Sequence, residues 1–144
     1  TTVTATDADL PAQPLTYSII GGVDAAQFTI NASSGLLSFL VAPNYESPTD
    51  AGGDNIYDVI VPVSDGANTD SQAIAVSVTP VNDNAPVIAS DGGGATASVN
   101  VAENATAVTT VTASDADLPA QSLSYSIVGG ADAARFTINA STGA

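Results

Sequence analysis

The chain has 144 residues, enough for one domain, or one domain and part of another, at roughly 100–200 residues per domain. It contains no His, Cys, Met or Trp, and Arg135 is its only basic residue against 15 acids, giving a formal net charge of −14. That composition excludes a Ser-His-Asp triad, a Cys-His dyad, a Schiff-base lysine and a zinc site of the usual kind. The same charge repels a phosphate backbone, so no nucleic-acid partner is expected. No apolar run approaches the roughly 18 residues of a membrane helix, and no membrane insertion is expected in this segment. Absent cysteines rule out a disulfide framework, while 44% hydrophobic residues can still build a core. The apolar residues are mostly Val, Ile, Ala and Leu, and Thr and Ser fill much of the rest, a strand-forming vocabulary that predicts an acidic all-β protein, extracellular or at the cell surface.

In chain order, alternation predicts strands near 1–6, 15–20, 26–30, 36–41, 56–64 and 71–79. Leu15, Tyr17 and Ile19 share one parity, as do Leu37, Phe39 and Val41, and Tyr57, Val59, Val61 and Val63 form the longest run. Gly21-Gly22, Ser33-Ser34-Gly35, Gly52-Gly53 and Asp65-Gly66 separate the runs as turns. Beyond residue 80 the expected strands are 95–102, 106–114, 123–128 and 134–138. Short strands at this spacing predict a sandwich of two antiparallel sheets. Tyr17, Phe28, Tyr57, Tyr125 and Phe136 fall at core parity and are expected to pack. Asp24, Asp50, Asp54, Asp58, Asp70, Asp91 and Asp132 belong to no motif and are expected to be solubilising charge.

The chain repeats itself. Thr1–Leu36 aligns without gaps on Thr109–Ala144, with 28 of 36 positions identical at an offset of 108 residues. The strand at 95–102 has no counterpart before Thr1, and the second copy stops before its equivalents of 36–79. Both terminal units are therefore expected to be incomplete sandwiches in a longer array, divided as 1–80, a linker at 81–86, and 87–144.

Several motifs recur in register. VAENA stands at 101–105, TVTATDAD at 2–9 and TVTASDAD at 110–117. YDVIVPVSDG occupies 57–66 and VNDNAP occupies 81–86. Together they resemble the cadherin repeat over the whole chain. The near-identical, Ala/Thr-rich copies look most like the bacterial cadherin-like repeats of large secreted proteins. The resemblance implies tandem immunoglobulin-like, Greek-key β-sandwiches with calcium at the junctions between them. Calcium takes six to eight oxygen ligands from carboxylates, amides and backbone carbonyls, which this composition can supply. By resemblance, Glu46 and Asp83 serve a junction from the first unit, and Asp115, Asp117 and Asn82 from the second. Asn84 and Gln121 offer backbone carbonyls there. Glu103, Asp7, Asp9 and Asp65, with Gln13 at the position matching Gln121, belong to neighbouring junctions. Two departures reduce the charge: Pro80 replaces the Asp that opens the family's linker, and Asn44 replaces the first acid of its D-x-E loop.

The function implied is a calcium-stabilised spacer or stalk of a bacterial adhesin or extracellular fibre, not an enzyme. Its expected partners are adjacent repeats or identical neighbouring subunits. The alternative is a calcium-dependent module that binds a polysaccharide or a cell-surface protein. Against that stand the absent Trp and the uniformity of the repeat.

Overall fold

The computed structural model describes residues 1–144, and the chain divides into two compact units, Thr1–Thr79 and Pro80–Ala144.

Unit 1 is built around its longest alternating run. Strand β4, Ile56–Ser64, buries Tyr57, Val59 and Val61 on one face, as a half-buried strand must with its period of two. It pairs antiparallel with β5, Thr69–Ser77, from Ile56↔Ser77 to Ser64↔Thr69. On its other edge lies β1, Thr16–Tyr17, giving the sheet order β1-β4-β5. A second sheet pairs β2, Phe28–Ile30, with β3, Leu37–Phe39. Tyr17, Tyr57, Val59 and Val61 from one sheet meet Phe28 and Leu37 from the other in a single core. Tyr57 packs edge-on to both Phe28 and Phe39, with centroids 6.4 and 5.0 Å away. Each such aliphatic or aromatic side chain stabilises the unit by about 1.5–3 kcal/mol on burial.

The expected strand 1–6 shrinks to one bridge, Thr2↔Leu36, flanked by backbone bonds from Val3 to Gly35 and from Leu37 to Thr1. In the second copy, Ala113–Ser114, matching Ala5 and Thr6, do form a strand, because they pair with Val87–Ile88. Ala5 and Thr6 find no such pairing segment among the 144 residues.

Unit 2 keeps only that one strand pair, β6 (Val87–Ile88) with β7 (Ala113–Ser114). The expected strands at 95–102, 123–128 and 134–138 do not form, and 106–114 is a strand only at its last two residues. The reason is pairing. Strand β2 of unit 1 needs β3, and β1 needs β4; the second-copy equivalents of β3 and β4 are not among the 144 residues. Backbone bonds between segments that both copies contain are reproduced nonetheless. Val3 and Tyr17 donate to Gly35 and Ala32, and Val111 and Tyr125 donate to Gly143 and Ala140, all four at 2.9 Å. Core parity is not enough for Phe136, which is 51% exposed where the matching Phe28 is 6% exposed. It lines an open apolar trough with Val111, Ile127 and Ile138, and Tyr125 is only half-buried.

Candidate metal centres

In unit 1, the end of β4 and the N-terminal segment converge on three carboxylates. Asp7-Ala8-Asp9 folds into a tight turn in which the Asp9 N–H donates to Asp7 Oδ1 at 2.9 Å, the local bonding that Asp favours. Asp65 follows β4 and caps the hairpin to β5, its Oδ1 accepting the N–H groups of Ala67 and Asn68 at 2.7 and 2.6 Å. Those bonds, the Asn68 N–H foremost, hold the Asp65 carboxyl below the ordinary carboxylate range. Asp7, Asp9 and Asp65 each bring a carboxylate oxygen within 4.8 Å of the others. Asn68 and Asp70 line the same groove, and Gln13 is not among its lining residues.

In unit 2 the linker folds back on the segment after β7. Asp117, matching Asp9, is 1% exposed. Its Oδ1 accepts Asn84 N–H at 3.1 Å and Asn84 Nδ2 at 2.7 Å. The Asp117 N–H donates to Asp115 Oδ1 at 3.1 Å, repeating the Asp9-to-Asp7 bond. Gln121 donates to Asp117 Oδ2 at 3.4 Å and accepts from the Asn82 amide. A carboxylate oxygen of Asp83 lies within 4.8 Å of one of Asp117. The Asn84 side chain holds the Asp117 carboxyl below its ordinary range; burial opposes this and the backbone N–H of Asn84 adds to it. Unit 2 thus gathers Asn82, Asp83, Asn84, Asp115, Asp117 and Gln121. Glu103 stands apart from these bonds, exposed on a turn closed by Ala105 N–H to Ala102 O at 3.3 Å.

Glu46 is half-buried in a loop of unit 1, its N–H donating to Asn44 Oδ1 at 2.9 Å.

The donor sets suit a hard cation. The carboxylate oxygens are hard donors, and oxygens within 4.8 Å of one another can share an ion bound at 2.3–2.6 Å. No base competes for them, since Arg135, the sole one, pairs with Asp132 at 3.5 Å on the surface.

Two acids expected to be solubilising charge are buried instead. Asp24 is 4% exposed and accepts the N–H of Ala51 at 2.7 Å and of Asp58 at 2.9 Å. Asp50 is 7% exposed and accepts those of Asp54 and Asn55 at 3.0 and 3.1 Å. A buried carboxylate is tolerated when hydrogen bonds replace its water, and both acids pin a glycine-containing loop to the sandwich.

Two packed sheets with acids collected beside the linker and beside the hairpin turn define a class: tandem immunoglobulin-like modules with oxygen-rich ends. No family model matches the chain. Among curated proteins, protocadherin Fat 1 of Homo sapiens is 34% identical over 132 residues, 87% of this chain and 3% of that protein. Cadherin-16 of Oryctolagus cuniculus is 33% identical over 129 residues, 82% of this chain and 15% of that protein. The chain therefore spans a small part of the curated relatives it matches. Among solved structures, human protocadherin-24 EC1-2 (form II) superposes with a TM-score of 0.69 at 27% identity, covering 93% of this chain and 63% of that one. The protocadherin GammaB4 extracellular domain gives 0.64 at 27% identity, covering 99% of this chain and 24% of that one. The chain belongs to the cadherin repeats. No helix is long and apolar enough to cross a membrane.

Proposed function

We propose that this chain is a calcium-stiffened spacer in an extracellular array of cadherin repeats, the stalk of a surface adhesin or fibre. The observation that carries the reading is the convergence of Asp7, Asp9 and Asp65, three uncompensated carboxylates within 4.8 Å in a chain with a single base. These three would hold one ion. Asp83, Asp115 and Asp117 would hold another set, with Asn82 and the backbone carbonyls of Asn84 and Gln121 contributing to it, and Glu46 and Glu103 join by family resemblance. Bound calcium supplies positive charge among carboxylates that otherwise repel one another.

Small, polar surfaces between modules leave a tandem array flexible by default. Ligands drawn from both ends of a linker would remove that freedom. Adjacent repeats are then the chief partners, and no catalysis is assigned. One structural relative is described as a protocadherin gammaB7 cis-dimer, which adds lateral pairing of copies as a second partner class. The near-identity of the two copies supports an array of many similar units on a bacterial surface.

The test is residual dipolar couplings of the two units in saturating calcium and in chelator. One shared alignment in calcium and two independent ones in chelator are expected. Independent alignments in both conditions would end the spacer reading.

A further inference from the structure

We infer that Asn55 is the positioning residue for Glu46, fixing its backbone from outside the acidic motifs. The inference rests on the proposal that Glu46 is a calcium ligand.

The peptide plane between Tyr45 and Glu46 is gripped at both ends. Its N–H, on Glu46, donates to Asn44 Oδ1 at 2.9 Å, and its carbonyl, on Tyr45, accepts Asn55 Nδ2 at 3.0 Å. The first bond is local, two residues apart, and travels with the loop. The second crosses ten residues and ties the loop to the sandwich, at the foot of β4. Nothing in the acidic motifs marks Asn55.

Asn55 is itself held from three directions. Its N–H donates to the buried Asp50 carboxylate at 3.1 Å, and its carbonyl accepts Val78 N–H at 2.9 Å, where β5 runs out toward the linker. Its φ of 64° is left-handed, a conformation that Asn tolerates and most residues avoid. With Nδ2 committed to Tyr45, Asn55 Oδ1 is buried and without a partner. An aspartate here would put charge at that buried atom and turn an oxygen toward the Tyr45 carbonyl. An asparagine fits both demands.

Partners that orient a ligand typically govern 10–100-fold in metal affinity. Asn55→Gly isolates the side-chain contact, because glycine adopts the left-handed backbone freely and keeps the bonds to Asp50 and Val78. Residue-resolved NMR titration with calcium reads the Asn44–Ser47 amides and, as an internal control, the Asp7–Asp9 amides of the same unit. In Asn55→Gly, roughly tenfold weaker calcium response at 44–47 is expected, with Asp7–Asp9 unchanged. In chelator, amide exchange of Glu46 should be faster than in wild type, a readout independent of bound metal. Glu46→Gln separates the failures. If it leaves the response at 44–47 intact, Glu46 is no ligand and the underlying reading falls. If Glu46→Gln weakens the response and Asn55→Gly does not, the positioning role is overturned. Equal loss at both sites in Asn55→Gly would mean general destabilisation and would also overturn it.

Discussion

Asp50 shows how much a single acid can do without belonging to a motif. Burial pushes its carboxyl up, and the backbone N–H groups of Asp54, Asn55, Asp50 and Gly53 together outweigh that and hold it below the ordinary range. A depressed folded value means that the unfolded chain binds the proton more readily. The stabilisation is present above the unfolded carboxylate value and is lost as pH falls through the folded one. Melting wild type and Asp50→Asn in chelator, from neutral pH downward, should show a gap that is constant until the ordinary carboxylate range and closes below it. A gap independent of pH would contradict the role given to the carboxylate. Sequence alone could not separate Asp24 and Asp50 from the exposed acids, because Asp between strands is a generic turn signal. What distinguishes them is long-range: Asp24 reaches Asp58, 34 residues away. Recurrence is no guide either, since Asp132, which matches Asp24, faces solvent and pairs with Arg135.

At the scale of elements, Gly22 marks where β4 is crossed most closely. Its φ is 99°, and a Cβ there would lie 2.3 Å from the Asp58 carbonyl oxygen and 2.5 Å from Val59 Cα. Gly22→Ala should therefore destabilise unit 1 by about 2 kcal/mol or more. The matching Gly130, at φ 110°, has no atom within 4 Å of that position. Gly130→Ala should cost less, and denaturant unfolding of the two variants compares them; equal losses would show that the approach to β4 is irrelevant. Strand β4 was legible because alternation over nine residues, Tyr57 to Val63 inward, is a strong local signal. The strands of unit 2 were not, although 134–138 repeats the sequence of 26–30 almost unchanged. Alternation reports which face a strand would bury, and pairing depends on a partner elsewhere in the chain. The same limit explains Phe136, whose parity is right and whose cover is missing.

For the molecule as a whole, the acidic motifs were readable as a set because they stand in register with the cadherin repeat; taken singly, Asp and Asn at strand ends are ordinary turn residues. Their grouping was partly legible too, since Asp7 and Asp9 are neighbours in sequence. That Asp65 would close on them depended on the β4–β5 hairpin, which no spacing rule supplies. The central claim is that these clusters hold calcium and that the fold leans on it. The most direct measurement is the melting midpoint of the chain in saturating calcium and in chelator, for wild type and for Asp9→Ala, whose carboxylate supports no other contact in the turn. At calcium about 100 times the dissociation constant, each independent site adds about 2.7 kcal/mol. The midpoint of wild type should rise in calcium, with a smaller rise in Asp9→Ala, whose midpoint in chelator should equal or exceed that of wild type because one of three mutually repelling carboxylates is gone. A wild-type midpoint that is the same in calcium and in chelator would contradict the claim.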